Sequence, residues 1–291
     1  MKKIWITGSN GQLGTELRLN KTLLKDAEYS FTDIQDLDLT DKKAVQDFAH
    51  RTVPDFIVNC AAYTAVDKAE NEEEKAFKLN HDIPANLAEA AVSNHAILIH
   101  ISTDYVFDGT SNYPYKETDR VNPVSAYGRT KLAGEDCVLS GNNNIIIRTS
   151  WLYSAHGNNF VKSMLKLGKE RDTIGVVFDQ VGSPTNASDL AAAILHIIKK
   201  IINSGIKYSS LYHYSNEGIC SWYDFAVAIM RFAGLDCNVK PITTDQYPLP
   251  ARRPVYSVFN KSKIKADFDL VIPHWEESLE RAIRLLVHDL S

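Results

Sequence analysis

No apolar run in the 291-residue sequence is long enough to cross a bilayer, which takes ~20 residues. The most apolar stretch, Leu190 to Ile202, is interrupted by His196, Lys199 and Lys200. Met1-Lys2-Lys3 leads directly into Ile4-Trp5-Ile6-Thr7-Gly8, too short for the apolar core of a secretory leader. Cysteine is scarce. Cys60, Cys137, Cys220 and Cys237 are scattered without a C-x-x-C pair, so they read as reduced thiols rather than a disulfide framework. Positive charge is not in excess: 32 Lys+Arg stand against 36 Asp+Glu, a net charge of -4. That balance argues against a nucleic-acid binder, which displaces counterions with clustered cations. It leaves room for an anionic small molecule held by a few local donors. Repeats and low-complexity tracts are missing too. With 44% apolar and 23% charged residues, disorder is excluded. The expectation is a cytoplasmic globular protein without nucleic acid or membrane among its partners.

What is present is an alternation of two periods. Short apolar runs at Lys3–Thr7, Tyr29–Thr32, Asp55–Asn59, Ala96–Ser102 and Asn144–Arg148 predict strands. Between them, Gly11–Leu19, Asp41–Arg51 (with Thr40 as N-cap), Val66–Asn80, Ile83–Asn94 and Ser125–Leu139 predict helices. Residues 103–124 read as a long loop. The pattern predicts an α/β fold, a Rossmann-type doubly wound parallel sheet covered on both faces. Beyond Thr149 the rhythm loosens. Helices are expected at Asn158–Gly168, Ser188–Ile202, Ser221–Ala233 and Trp275–Leu286, and strands at Thr173–Val177 and Ser210–Tyr214. Leu235–Asn260 is rich in proline and turn residues. This divides the chain into a dinucleotide-binding domain over 1–150 and a smaller α/β substrate domain over 151–291. Segments near 173–210 are candidates to rejoin the first sheet.

Gly8-Ser9-Asn10-Gly11-Gln12-Leu13-Gly14 follows the first strand and opens the first helix. Gly8 permits the tight turn, Gly11 lets backbone approach a pyrophosphate, and Gly14 lets the helix pack close to the sheet. The helix N-terminus offers free N–H donors to phosphate. Asp33, at the end of the second strand, can accept hydrogen bonds from an adenosine ribose. It would favour NADH by repelling a 2′-phosphate, but mobile loops or cations can offset it, so NADPH and NADH both stay open. Asp38 and Leu39 would sit near the adenine. Asn59-Cys60-Ala61-Ala62-Tyr63-Thr64 ends the third strand with small residues over which a cofactor can lie.

Tyr127 and Lys131 stand four apart on a predicted helix, which places them on one face. Tyr127 is the only one of 13 tyrosines followed four residues later by lysine. Thr103 ends the fourth strand, where open α/β sheets bind ligands. Tyrosine, with a pKa near ~10, is a poor acid at neutral pH. A neighbouring ammonium would lower that value, so that Tyr127 can protonate a developing alkoxide while Thr103 holds the same oxygen.

Nine segments then carry a resemblance: GSNGQLG (Gly8–Gly14), DLDLT (Asp36–Thr40), NCAAYTAVD (Asn59–Asp67), ISTDYVFDG (Ile101–Gly109), PVSAYGRTKLAG (Pro123–Gly134), RTSWLY (Arg148–Tyr153), NNFV (Asn158–Val161), DQVGSPT (Asp179–Thr185) and RPVYS (Arg253–Ser257). The chain resembles the extended short-chain dehydrogenases/reductases, and among them the dTDP-4-dehydrorhamnose reductase family. The resemblance implies NADPH- or NADH-dependent reduction of the C4 carbonyl of dTDP-4-dehydro-β-L-rhamnose to dTDP-β-L-rhamnose, the final step of dTDP-rhamnose biosynthesis, by a homodimer. It implies catalytic roles for Tyr127, Lys131 and Thr103. Cofactor contacts fall to Gly8, Asn10, Gly11, Gln12, Leu13, Gly14, Asp33, Asp38, Leu39, Ala61, Ala62, Tyr63 and Thr64, together with Tyr127 and Lys131. Substrate contacts fall to Thr103, Asp104, Trp151, Asn159, Arg252 and Arg253.

Relatives also suggest what to exclude. Dehydratases of the superfamily carry Thr-Asp-Glu, whereas Tyr105 follows Thr103-Asp104 here, so simple reduction is expected over dehydration, with a related sugar-nucleotide epimerase or dehydratase as a further reading. Some relatives bind magnesium through glutamates at a dimer interface. Glu16 matches one such position, but Ser188 and Asp189 stand where another glutamate belongs, so no metal is expected. A rival reading is a non-catalytic NADP-binding subunit resembling the β subunit of methionine adenosyltransferase. The intact Thr103, Tyr127 and Lys131 count against it.

Overall fold

The computed structural model describes residues 1–141, 143–205, 208 and 210–288. The expected second domain therefore ends in residues, 289–291, that lie outside the described ones. In chain order the strands are β1 (Lys2–Thr7), β2 (Ala27–Thr32), β3 (Phe56–Asn59), β4 (Ile97–Thr103), β5 (Ile145–Thr149), β6 (Leu152–Tyr153), β7 (Thr173–Val177), β8 (Val181–Gly182), β9 (Thr185–Asn186), β10 (Leu211–His213), β11 (Cys220–Ser221) and β12 (Asn238–Ile242). The α-helices are α1 (Gln12–Asn20), α2 (Lys42–Thr52), α3 (Val66–Ala69), α4 (Glu73–Phe77), α5 (Ile83–Ser93), α6 (Ala126–Leu139), α7 (Phe160–Glu170), α8 (Ala187–Ser204), α9 (Trp222–Ala233), α10 (Ser262–Phe268) and α11 (Trp275–His288).

Six strands form one parallel sheet in the order β10-β5-β4-β3-β1-β2. Successive residues of a strand point to opposite faces, and here both faces are covered. Ile4 and Ile6 pack with Leu13 and Leu17 of α1 and Leu190, Ile194 and Ile198 of α8. Trp5 packs on the other side with Val45 of α2, Leu87 and Ala91 of α5, and Val138 of α6. The chain leaves β1 in one direction to β2 and in the other to β3, so the strands' C-terminal ends open a crevice there. A second apolar core joins Val161 and Met164 of α7, Phe225 and Ile229 of α9, Val239 of β12, and Leu279 and Ile283 of α11.

Several local expectations are corrected. The N-cap of α2 is Asp41, whose carboxylate accepts the Ala44 N–H, because Thr40 is bound instead by Asp38. The helical stretch 66–80 is split, and Lys78–Asp82 forms a π-turn that runs into α5. Of the two strands considered for the main sheet, β10 joins it beside β5, while β7 pairs with β12 in a separate two-stranded sheet. Among the described residues, no helix is long and apolar enough to cross a membrane.

Candidate active site

The turn between β1 and α1 is built by close backbone approach. Gly8 sits at φ +61°, and a Cβ there would lie 2.6 Å from the Ala61 nitrogen. A Cβ on Gly14 would lie 2.4 Å from the Gly8 carbonyl oxygen. The loop therefore holds α1 hard against β1 and β3, with Gly11 as an N-cap that supplies no side chain to the helix N-terminus. A dinucleotide fits these residues, since no side chain caps the N–H groups at the start of α1 and Gly11 places no side chain in front of them. Asp33 closes the loop from below: its Oδ2 accepts the Asn10 N–H at 2.8 Å and its Oδ1 the Ile34 N–H at 2.8 Å. Asp38 is exposed, and two bonds from Thr40 lower its pKa. Leu13 and Leu39 lie in the two cores flanking the sheet, leaving only their backbone to face a ligand. Ala61 and Ala62 are half-buried and Thr64 is exposed, while Tyr63 is buried with its hydroxyl donating to Glu72 at 3.0 Å.

Thr103 ends β4, and Ser125 caps α6 by accepting the Gly128 N–H. This brings Thr103, Tyr127 and Lys131 together at the C-terminal edge of the sheet, each less than a tenth exposed. The Thr103 hydroxyl lies against the Tyr127 phenol and favours its ionised form, but burial acts more strongly and pushes the phenol up to about 12. Lys131 is pulled down to about 8, chiefly by burial, with Glu135 opposing. The Tyr127 phenol is thus raised rather than lowered, because burial outweighs what favours its ionised form. The Lys131 Nζ donates to the Ile101 carbonyl at 2.7 Å and lies 3.4 Å from His100 Nε2. Asp104 is buried beside Thr103, whose hydroxyl donates to its Oδ1 at 3.0 Å. Burial pushes this carboxyl up to about 6 although the Thr103 and Ser257 hydroxyls oppose the shift.

Next to this group opens a cavity of about 1060 Å³, ample for a sugar nucleotide. Thr64 and Tyr105 line its inner end, and the Tyr105 ring meets the Tyr127 ring edge-on at 5.3 Å. Arg171, Gln180, Trp222 and Tyr247 line it as well, none of them singled out in the sequence. Arg252 is exposed along its wall. Arg253 reaches the wall too, but its guanidinium is held bidentately by Asp67 at 3.0 and 2.7 Å. That pair clamps the 251–253 loop to the start of α3, so Arg253 shapes the cavity rather than offering a free cation. Asn159 is likewise engaged: it caps α7 and donates to Gln12 at 2.9 Å, tying the second core to the glycine-rich turn. Trp151 stacks on Trp222 with ring centroids 3.6 Å apart. Its φ of +49° is strained for so bulky a residue. Glu16 is buried, and its partners are His156 and Ser188. Asp189 beside it is paired with Arg281 at 2.7 Å. Among the described residues, no cluster of three acidic, His or Cys side chains could hold a metal ion.

A family model described as "RmlD substrate binding domain" matches residues 1–287. The chain belongs to this family. It is 41% identical over 291 residues to the dTDP-4-dehydrorhamnose reductase of Sinorhizobium fredii, covering 98% of each chain. Its fold superposes on the dTDP-4-dehydrorhamnose reductase from Clostridium acetobutylicum with a TM-score of 0.93 and 47% identity, covering 98% of this chain and 99% of that one. A Bacillus anthracis dTDP-4-dehydrorhamnose reductase solved in complex with NADP gives a TM-score of 0.91 at 41% identity, over 98% and 100% of the two chains.

Proposed function

We propose that the protein reduces the C4 carbonyl of dTDP-4-dehydro-β-L-rhamnose to dTDP-β-L-rhamnose, with NADPH or NADH as reductant. The observation that carries this reading is the buried group of Thr103, Tyr127 and Lys131 at the edge of the sheet, beside a cavity of sugar-nucleotide size. The glycine-rich turn, Asp33 and the Ala61–Thr64 strand end would hold the dinucleotide, which supplies a hydride when bound. Tyr127, its phenol un-ionised throughout the working pH range, gives its proton to the oxygen that becomes the C4 hydroxyl. Thr103 orients that oxygen. Asp104, poised between charged and neutral, can accept or donate a hydrogen bond to a sugar hydroxyl. Trp222, stacked on Trp151, offers an apolar wall, and Arg171 and Arg252 are the cavity cations available to a diphosphate.

Tyr105 stands where dehydratases of the superfamily carry the glutamate used in elimination. The retained triad gives the non-catalytic reading no support. We also assign residues 1–150 with the β10 segment to the cofactor and the second core to the sugar nucleotide, and read the protein as a cytoplasmic homodimer. The test is Tyr127→Phe, followed by absorbance of the reduced nicotinamide with the keto-sugar nucleotide. Turnover should fall by a factor of roughly 10²–10⁴ with cofactor binding kept. Unchanged turnover would refute the assignment.

A further inference from the structure

His100 lies in the middle of β4, fully buried, and none of the roles above uses it. Its ring sits between two partners. Nδ1 is 3.0 Å from the Asn59 Nδ2 and Nε2 is 3.4 Å from the Lys131 Nζ. The direction of each bond follows from the far end of the chain. The Ala61 backbone N–H, which can only donate, points at Asn59 Oδ1 at 3.0 Å, and the Thr7 hydroxyl donates to the same oxygen at 2.8 Å. The Asn59 amide is therefore oriented with its NH2 toward His100, and Nδ1 must accept. Burial and the nearby Lys131 hold the ring's pKa well below its usual value, so the ring is neutral. A neutral imidazole that accepts on Nδ1 carries its proton on Nε2. That N–H is directed at Lys131.

An ammonium has three donors and no lone pair, so it cannot accept this bond, whereas an amine can. We propose that His100 is a positioning residue for Lys131: its Nε2–H, fixed by the Thr7–Asn59 network, stabilises the uncharged amine over the ammonium. The other charged group that bears on Lys131 is Glu135, one turn along α6, which favours the ammonium. Glu135 is itself held by Arg148 from β5 through bonds of 2.9 and 2.6 Å, so much of its field is spent on that partner. Asn59, from β3, does not titrate. Burial, opposed by Glu135, places the Lys131 midpoint at about 8, within the working range, and the His100 N–H adds to the preference for the amine there. The ammonium, which supports negative charge developing on Tyr127, is then gained and lost around that pH.

This inference rests on the reductive reading of the site, but its first two tests need no turnover and so fail separately from that reading. In full-length protein labelled with 15N-histidine, His100 should be neutral with Nε2 protonated from pH 6 to 9. A protonated Nδ1 or a charged ring overturns the proposal, on the unaltered protein and without any variant. The Lys131 midpoint, read from the 13Cε shift of labelled lysine, should rise by about one pH unit in His100→Ala, a tenfold change in the amine-to-ammonium ratio. His100→Gln keeps a carbonyl for Asn59 and an N–H for Lys131, and should return the midpoint toward its original place. A midpoint that does not rise in His100→Ala, or rises equally in both variants, overturns the proposal. In turnover, the alkaline limb of kcat should follow the midpoint upward while KM for the nicotinamide cofactor changes less than twofold. A limb that stays in place counts against it.

Discussion

The pair Glu135 and Arg148 offers a demanding test of what holds the site in place. Their side chains are 1% and 3% exposed, and the guanidinium meets the carboxylate through Nε at 2.9 Å and Nη2 at 2.6 Å. Beyond this, among the described residues, Arg148 faces His213 Nε2 at 3.4 Å and the Phe107 ring at 5.1 Å. Glu135→Gln keeps the shape and removes the charge, leaving the guanidinium buried against weak partners. Breaking a buried pair in this way costs about 3–5 kcal/mol, because desolvation of the remaining ion is no longer offset. At roughly 2–4 °C per kcal/mol for a chain of this size, the melting temperature should fall by about 10 °C. Replacing both residues, Glu135→Leu with Arg148→Met, should recover most of the loss, since apolar substitutes of similar volume are often neutral or better. Calorimetry and urea unfolding of Glu135→Leu, Arg148→Met and the double variant close the cycle. A cost below about 1 kcal/mol for Glu135→Gln, or a double variant no better than the singles, would refute the argument that the pair is isolated from water.

Two further outcomes follow, one from the buried Asp104 and one from the cavity wall. Asp104 titrates at about 6 in the folded protein, against ~3.9 in an unfolded chain. The native state therefore binds the proton more tightly, and stability falls as pH rises from about 4 to 6 and stays lower above that. Two units correspond to about 2–3 kcal/mol, so Asp104→Asn should gain about that much stability at pH 7 in urea unfolding, little at pH 4, and lose turnover. Equal effects at both pH values would show the carboxyl to be unperturbed. Arg253→Lys removes the two-pronged grip on Asp67 while keeping the charge. If Arg253 acts as the clamp of the loop, this variant should weaken sugar-nucleotide binding severalfold in calorimetric titration with dTDP, as Asp67→Asn should too. Normal affinity in either variant would contradict that role.

How much of this was legible in the sequence depends on how local each cause is. The β1 turn and the helix carrying Tyr127 and Lys131 are readable because glycine spacing, strand periodicity and a serine cap act within a few residues. The missed elements are those that owe their existence to distant partners. β12 lies in a proline-rich stretch, and Pro241 sits inside it opposite Val176. A proline is tolerated there because a strand in a two-stranded sheet has a free edge. The helix α10 is only seven residues long, too short to stand alone. It holds through Ile264 and Phe268, which enter the core beneath the main sheet. The same logic governs the site. Arg253 reads as a free cation in RPVYS, yet Asp67, 186 positions away, takes its charge. Asn159 reads as a ligand, yet it caps α7 and binds Gln12. Motif spacing reports which residues a reaction needs. Whether a side chain still has bonding capacity for a substrate is decided by the partners that the fold brings to it, and those are set by packing between segments that share no local signal. His100 is the counterpart of that rule. Nothing local to β4 marks His100, and the direction of the Ala61 N–H, just past the neighbouring strand β3, fixes which of its nitrogens faces Lys131.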